Sequence, residues 1–445
     1  MKKTLILTAA LGLAGASQLM AQSDLFVTGS TAFRSQVYNA SLKMFSGTPT
    51  IYTGNLTSGG DTATGAKAAQ WTMTGTPAAG ITSISAPFTI HALFTGSVQG
   101  AQAVETGTKL IFIPSTGLAT RMTNTATIAF SDVSTLSTPY PVSGNYSEEA
   151  VAVQPFVMCK TVANNGATNI NNVSYEQLQE IIKLGRIPLS IWSGQTADQS
   201  TLVYLFNRTK DSGTRRTTFA EAADGFNAAA VIYNYDATNN AFYHATALTQ
   251  ASTGGVNGSS QGYGVIGVAG NDNNNVSSLW GEGYVGGGDI KTALGYANPA
   301  NLSISYLSLA DAQGITSSNW SQVVSFNGSW PTVSGVGIRG ASGTNDFTPV
   351  TLGTYGLWAQ EVVVYPNVSP NGFESDQNLS STQLGNQGAA GTILGTLDAV
   401  TFPGNPVVVG SVDNEIENSK TNGATAIRIG DMVSSRASVG GTITP

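Results

Sequence analysis

Three stretches of the chain share one pattern: a run of apolar and β-branched residues, a loop of small residues, and then residues that suit a helix. The apolar runs span residues 24–28, 86–94 and 202–206. An apolar run of this length predicts a buried strand, and the small residues after it predict where a helix begins. Three such units favour an α/β fold in which the loops at the carboxyl ends of the strands face a ligand.

The loops of these units are rich in groups that bind anions. They contain Gly29-Ser-Thr31, Gly96-Ser97 and Ser212-Gly-Thr214. The first N–H groups of a helix lack partners within the helix, and the helix dipole is positive at that end. Such a loop suits an oxyanion. Arg208, which precedes the third loop, would add a planar fork of donors. The pattern therefore predicts an oxyanion-binding protein.

Elsewhere the pattern predicts further strands and helices. Ser174 and Gln177 form a capping box that marks the start of a helix, and Gly185 marks its end. Apolar and β-branched residues predict a strand that leads into a helix over 304–311 and a long strand within 353–365. We see no internal repeat of fixed period.

A segment rich in Asn, Gly and Ser separates these elements between residues 236 and 288. Gly262 to Gly267 match the spacing G-x-G-x-x-G, but no clear helix and no suitably placed acidic residue follow, so we interpret them as a loop. Asp272 lies in an Asn-rich run that lacks the alternating ligands of a calcium loop. No dinucleotide, calcium or other cofactor is expected.

The first residues predict a secretory signal peptide over residues 1–21. A basic start is followed by an apolar run from Leu5 to Ala16 and then by small and polar residues up to Ala21. Cleavage is expected between residues 16 and 22, and a cut after Ala16 fits the small-x-small rule better than a cut after Ala21. The apolar run is too short for a membrane span. We therefore expect a protein of the periplasm or a secreted protein.

The net charge of the chain limits the classes of partner that it can bind. The chain has 26 acidic and 19 basic residues, a formal net charge of −7, and loss of the leader would remove Lys2 and Lys3. Nucleic acid and anionic membranes are therefore not expected as partners.

Cys159 is the single cysteine, so the fold has no internal disulfide, and we interpret Cys159 as a buried apolar residue.

Several segments together resemble, in order, the periplasmic phosphate-binding component of ABC phosphate importers, a class II solute-binding protein. The segments that carry the resemblance are 28–33, 96–100, 130–132, 154–157, 174–192 and 208–214. The resemblance implies an α/β, two-lobed fold with mixed sheets flanked by helices and with Gly/Asn-rich insertions. It implies lobe 1 over 22–150, lobe 2 over 151–335, and a return to lobe 1 with a C-terminal extension over 336–445.

The resemblance also implies a ligand and its contacts. Inorganic phosphate would bind between the lobes to Ser30, Thr31, Ala32, Ser97, Asp132, Arg208, Ser212, Gly213 and Thr214. Asp132 would accept the proton of hydrogen phosphate and pair with Arg208. A buried acceptor of this kind disfavours sulfate, which has no proton to donate. The partners implied are phosphate and the permease subunits of an ABC transporter, and the protein is expected to be a monomer.

Other interpretations of these residues stay open at this stage. Asp132 suits a turn or a helix cap, Ser97 an ordinary N-cap, and Arg208 an exposed cation at a strand end. Arg215 and Arg216 would tune the field near the loop or lie in solvent.

Two other functions are alternatives to a binding protein. One is an exported surface or structural protein that reuses the fold, and the other is a phosphatase. His91 and His244 are the two histidines of the chain, and no zinc-peptidase motif or carboxylate cluster accompanies them. We therefore expect no catalytic residues, no bound metal and no enzyme activity.

Overall fold

The architecture comes from a computed structural model. It describes residues 23–54, 65–78, 87–118, 122–141, 146–161, 166–222, 225, 229–236, 241–244, 283–284, 286–295, 302–312, 322–333, 346–366, 426–427, 431–436 and 443. The predictions for the leader, for Gly262 to Gly267 and for Asp272 lie outside the described residues.

The described residues form the following strands and α-helices. The strands are β1 Ser23–Gly29, β2 Thr50–Thr53, β3 Gln70–Gly75, β4 Phe88–Leu93, β5 Lys109–Phe112, β6 Met122–Thr125, β7 Ile128–Ser131, β8 Tyr146–Lys160, β9 Asn172–Val173, β10 Arg186–Pro188, β11 Leu202–Leu205, β12 Tyr233–Asp236, β13 Ala241–His244, β14 Ser303–Ser308, β15 Val323–Phe326 and β16 Trp358–Pro366. The α-helices are α1 Arg34–Leu42, α2 Ser97–Thr106, α3 Tyr175–Leu184, α4 Ser190–Ser193, α5 Gly213–Glu221, α6 Gly287–Leu294, α7 Leu309–Ala312 and α8 Thr348–Thr351.

One large mixed sheet organises the described residues, in the order β10-β11-β14-β8-β16-β7-β1-β4-β3-β2. β1 lies between β4 and β7 and is parallel to both, whereas β16 is antiparallel to β7 and β8. Helices flank this sheet. The predicted α/β class with a mixed sheet is confirmed.

β8 is long enough to belong to two halves of this sheet. Its first part pairs with β16, from Tyr146 to Pro155, and its last part pairs with β14, from Phe156 to Lys160. The chain therefore passes from one half to the other within a single strand.

Two hydrophobic cores accompany the two halves. The first contains residues such as Leu25, Trp71 and Phe130, with a smaller cluster on the other side of the sheet. The second contains Leu178 and Tyr306. These cores are the basis of two lobes, but the residue limits given above for the lobes stay a prediction.

The division between the cores falls within the two long strands. On β8, Ala152 packs in the first core and Val153 in the second. On β16, Ala359 packs in the second core and Val363 in the first. Between these last two positions lies Glu361, where the register of β16 against β8 shifts.

The predicted strand–loop–helix units are confirmed as β1–α1, β4–α2 and β11–α5. The capping box is also present, since the Ser174 hydroxyl accepts from the Gln177 amide at 3.2 Å while the Gln177 side chain accepts from the Ser174 amide at 2.8 Å. Gly185 ends α3 with a φ of 72°.

Cys159 is free and buried as expected, and burial raises the pKa of its thiol. Within the described residues no helix has the length and apolar character of a membrane span.

Candidate anion-binding site

The carboxyl ends of neighbouring strands bring the predicted loops together. The Ser30 amide donates to the Phe130 carbonyl at 2.7 Å, and the Gly96 amide donates to the Gly29 carbonyl at 2.9 Å. Gly29 has a φ of +115°, and a Cβ there would lie 1.9 Å from the Phe130 oxygen. Only glycine allows this close passage of the two chains. The loop after β1 therefore lies directly beside the loop after β7.

The third loop reaches the same place from the other half of the sheet. The Val98 amide, in the first turn of α2, donates to the Asp211 carbonyl at 3.1 Å. Ser212 is the N-cap of α5, and its hydroxyl accepts from the Arg215 amide at 3.2 Å. The N-termini of α2 and α5 therefore meet across the boundary between the two cores.

Asp132 lies between these two helix starts and is 2% exposed. One carboxyl oxygen accepts from the Ser97 hydroxyl, and the other accepts from the Thr214 hydroxyl at 3.1 Å. The Thr217 hydroxyl donates to the Asp132 backbone carbonyl at 3.5 Å. Residues predicted as phosphate ligands thus already form one hydrogen-bonded group around a carboxylate.

Gly213 makes this contact possible. A Cβ at Gly213 would lie 1.6 Å from a carboxyl oxygen of Asp132 and 2.8 Å from the Ser97 hydroxyl. No other residue could begin α5 here without moving the carboxylate. The positive end of the α5 dipole is therefore in direct contact with a negative group.

Arg208 is buried at the side of this group, with 2% exposure. Its guanidinium donates to the Thr31 hydroxyl and to the Tyr284 carbonyl, each at 3.3 Å. Its backbone amide donates to the Asn207 side chain at 3.0 Å and to the Tyr306 hydroxyl at 3.2 Å. Both backbone and side chain of Arg208 are therefore held in one orientation.

Several acidic residues compensate the positive charge of the buried Arg208 guanidinium. Burial lowers the pKa of Arg208, and the negative charges of Asp311, Asp132 and Asp289 oppose this shift. Asp311 also pairs with Arg34 at 2.9 Å, so two cations and several acids form a network that joins both halves. A buried charge requires such compensation.

The pKa of Asp132 is set by opposing effects. Burial raises it, whereas the hydrogen bond from Ser97, the charge of Arg208 and the hydrogen bond from Thr214 lower it, and the net direction is upward. A carboxylate that accepts from hydroxyls and faces a guanidinium is nevertheless well supported as an acceptor.

Glu361 is a second acid at this place, and the sequence analysis did not identify it. Its side chain is 0% exposed. Burial raises its pKa well above the usual range, the charge of Asp132 raises it further, and the nearby Ser30 hydroxyl lowers it. Glu361 is the single acidic residue in the apolar run of β16, and this isolated charge could have indicated a buried functional acid.

The structure decides between the interpretations left open for single residues. Gly96, not Ser97, is the N-cap of α2, and Ser134, not Asp132, caps the short helical turn at 135–137. The interpretation of Arg208 as an exposed cation is wrong, because it is buried.

Arg215 and Arg216 do not lie in solvent. Arg215 donates to the Arg208 carbonyl at 3.0 Å, and Arg216 donates to the Ser137 carbonyl at 3.0 Å. Ser30, Thr31 and Ala32 are all buried at the loop after β1. The predicted residues therefore converge, and whether they bind an anion stays a prediction.

Other parts of the network were also missed. Asp311, Arg34 and Tyr306 were not singled out, although Tyr306 lies on a predicted strand. The Tyr306 hydroxyl donates to the Asn207 side chain, and burial raises the pKa of Tyr306 to about 12. Arg34 and Asp311 stand in no motif, and only the tertiary fold brings all three residues to Arg208.

Metal and histidine chemistry find little support in the described residues. Within them, no group of three His, Cys, Asp or Glu side chains could hold a metal ion. His91 is buried on β4, where one ring nitrogen lies 2.7 Å from the Ile113 carbonyl and the ring stacks on Phe26. His91 is thus a core residue.

The chain matches no family model and no curated protein sequence. Solved structures that it resembles are described as phosphate-binding or phosphate-transport proteins. One is an ABC-type phosphate transport receptor from Vibrio cholerae, with 12% identity, a TM-score of 0.35, and coverage of 85% of this chain and 97% of that one. Another is a phosphate-binding protein from Stenotrophomonas maltophilia, with 13% identity, a TM-score of 0.38, and coverage of 92% and 90%.

A third similar structure is a human phosphate-binding apolipoprotein, with 12% identity, a TM-score of 0.40, and coverage of 91% of each chain. At such low identities and TM-scores, what this chain binds has to be inferred from its own residues.

Proposed function

We propose that this chain is an exported solute-binding protein that binds inorganic phosphate at the junction of its two halves. One observation carries the proposal: Asp132 is buried between the starts of α2 and α5, where it accepts from Ser97 and Thr214 and faces Arg208. The group combines many donors with one acceptor, which is what a protonated oxyanion requires.

The donors can serve an anion that enters the site. The hydroxyls of Thr31, Ser97 and Thr214 rotate about a single bond, so each can turn from its present partner to an anion oxygen. The first amides of α5 and the Arg208 guanidinium add fixed donors. Binding would therefore replace internal hydrogen bonds of the site by bonds to the ligand.

Asp132 gives the site its proposed selectivity. A hydrogen phosphate ion can donate its proton to a carboxylate, whereas sulfate cannot, and two acceptors would then face each other without a proton. We therefore expect phosphate and arsenate to bind and sulfate to be rejected. Closure of two lobes on the ligand would bring both sets of donors into contact with it.

The transport role forms the second part of the proposal. It is inferred from the resemblance of the sequence segments and from the predicted leader. The similar solved structures are described as phosphate-binding or phosphate-transport proteins, which agrees with the proposed ligand. We propose that the protein lies in the periplasm or outside the cell and delivers phosphate to ABC permease subunits.

Calorimetry and thermal shift with phosphate, arsenate, sulfate and molybdate test the binding. A ligand that binds only the folded state must raise the melting temperature. We expect stabilisation by phosphate and arsenate, and loss of the effect in both Asp132→Ala and Arg208→Ala. If both variants keep the phosphate affinity of the wild type, the site is elsewhere. Sustained release of phosphate from an ester substrate would favour the phosphatase alternative instead.

A further inference from the structure

Glu361 lies beside Asp132 of the proposed anion site, as the strand registers show. Val362 of β16 pairs with Ser131 of β7, so the preceding residue, Glu361, lies level with Asp132. Gly29 of β1 pairs with Phe130, so Ser30 lies next to Ser131. Asp132 and Glu361 therefore lie side by side on adjacent chains, Ser30 lies one residue along from that level, and the Ser30 hydroxyl is close enough to act on Glu361.

The side chain of Glu361 is enclosed in protein. It is 0% exposed, and within the described residues neither carboxyl oxygen makes a hydrogen bond of normal geometry. The Ser30 hydroxyl is also 0% exposed and also lacks such a bond. Two buried polar groups thus lie close together without other partners. Leaving both unpaired would be costly, and a bond between them removes that cost.

Asp132 and Glu361 have different surroundings. Burial raises the pKa of both carboxyls, but Asp132 accepts from Ser97 and Thr214 and faces Arg208, and these three oppose the upward shift of its pKa. Glu361 has Ser30 nearby and feels the negative charge of Asp132. When environments push two neighbouring acids apart in this way, one ionises and the other keeps its proton.

We propose that Glu361 is a positioning residue of the phosphate site: it stays a neutral acid, donates its proton to the Ser30 oxygen, and so directs the Ser30 O–H toward the bound anion. This rests on the proposed function. Ionisation of Glu361 would remove the donor to Ser30 and place a second negative charge beside the site. Phosphate affinity would then fall as pH rises.

Few charged groups of the described residues face Glu361, so its ionisation should follow the titration of a single site. After β7 it faces the Asp132 carboxylate, and on β8 it is paired with Ala152. From the loop after β1 it meets Ser30. Among the described residues, Asp132 is the charged group that acts on Glu361, and Arg208 acts on it through Asp132.

The test is phosphate affinity between pH 5 and pH 9 for the wild type and for Glu361→Gln, measured by calorimetry at constant ionic strength. The ratio of the two affinities cancels the ionisation of phosphate itself. We expect a ratio near one at the acidic end. Between the pKa of Glu361 in the free protein and its higher pKa in the complex, the ratio should rise in favour of the variant by up to about tenfold per pH unit.

Two further variants separate charge from hydrogen bonding. Glu361→Met is neutral but cannot donate to Ser30, so it should bind more weakly than Glu361→Gln at every pH while losing the same pH dependence. Glu180→Gln removes an exposed carboxylate on α3 and should follow the wild type throughout. If Glu361→Gln folds poorly, Glu361→Met still tests the pH dependence, with Glu180→Gln as the control.

The outcomes distinguish the two proposals. A ratio that stays constant with pH would show a merely structural role for Glu361 and would overturn this inference, while the proposed function would stand. A wild-type protein that binds no phosphate at any pH would overturn the proposed function itself.

Discussion

The Thr214 hydroxyl donates to a carboxyl oxygen of Asp132 at 3.1 Å, although the two residues are 82 positions apart in the chain. Thr214 lies in the first turn of α5 in the second half of the fold, and Asp132 follows β7 in the first half. The bond therefore joins the two halves at the place where the sequence predicts a ligand.

Replacement of the acceptor tests how the site selects its ligand. In Asp132→Asn the side chain no longer carries a charge and can donate as well as accept. We expect phosphate affinity to fall by about 1–3 kcal/mol, or roughly 5- to 150-fold, because the acceptor for the ligand's proton is lost. Sulfate binding should strengthen, because an anion without a proton no longer faces a carboxylate.

Calorimetry with both anions measures these changes, and Asp198→Asn, a partly exposed residue of the second half, is the matched control. Selectivity for phosphate over sulfate that survives in Asp132→Asn would contradict this role of Asp132.

The start of α5 tests the close contact with Asp132. In Gly213→Ala the new methyl group would lie 1.6 Å from the carboxyl oxygen, so α5 and Asp132 must move apart. We expect loss of phosphate binding together with a fall in the melting temperature. Gly288→Ala, on α6, is the control, because nothing lies within 4 Å of its Cβ. Alanine within a helix should leave stability unchanged or raise it by about 0.5–1 kcal/mol.

Thermal unfolding with and without phosphate separates the two glycine variants. Equal melting temperatures and equal phosphate shifts for both would mean that the Asp132 carboxylate does not pack on the start of α5.

The parts of this site that the sequence predicts are those with a local cause. Strand, small-residue loop and helix follow one another in the chain, so the loops containing Ser30, Ser97 and Ser212 could be identified from neighbours alone. Arg208 was predicted from its place just before the third loop and Asp132 from the resemblance, and the fold brings both to the same place.

The missing parts depend on pairing between distant segments. Arg34 and Asp311 are 277 positions apart, and neither stands in a motif. Glu361 becomes a site residue only through the register of β16 on β7. A period-two pattern cannot fix which residue of one strand meets which residue of another.

The ion pair between Arg34 and Asp311 should determine part of the stability in acid. Burial raises the pKa of Asp311, but the charge and hydrogen bond of Arg34 and the charge of Arg208 outweigh it, so the net shift is downward. A carboxyl with a lowered pKa in the folded state stabilises the protein above its unfolded pKa, and this contribution disappears as pH falls through the folded value.

Arg34→Met would leave Asp311 buried with less compensation, which costs about 3–5 kcal/mol at neutral pH. We expect the acid unfolding midpoint of the variant to move to higher pH. Circular dichroism between pH 2 and pH 7 measures the midpoint, with Lys43→Met at the end of α1 as the control. An unchanged midpoint would mean that the pair is solvated and weak.

Glu361 should have the opposite effect on stability, because the pKa of its carboxyl is raised in the folded state. Between the unfolded pKa, near 4.3 for Glu, and the higher folded value, the folded protein binds more protons than the unfolded chain. The free energy of unfolding therefore falls as pH rises through this window. Glu361→Gln lacks the titration, so it should be more stable than the wild type at pH 7, and the difference should shrink to a constant below the unfolded pKa. Urea unfolding of both proteins without phosphate at pH 4 and pH 7 measures this, and a stability difference that is the same at both pH values would show that Glu361 titrates normally.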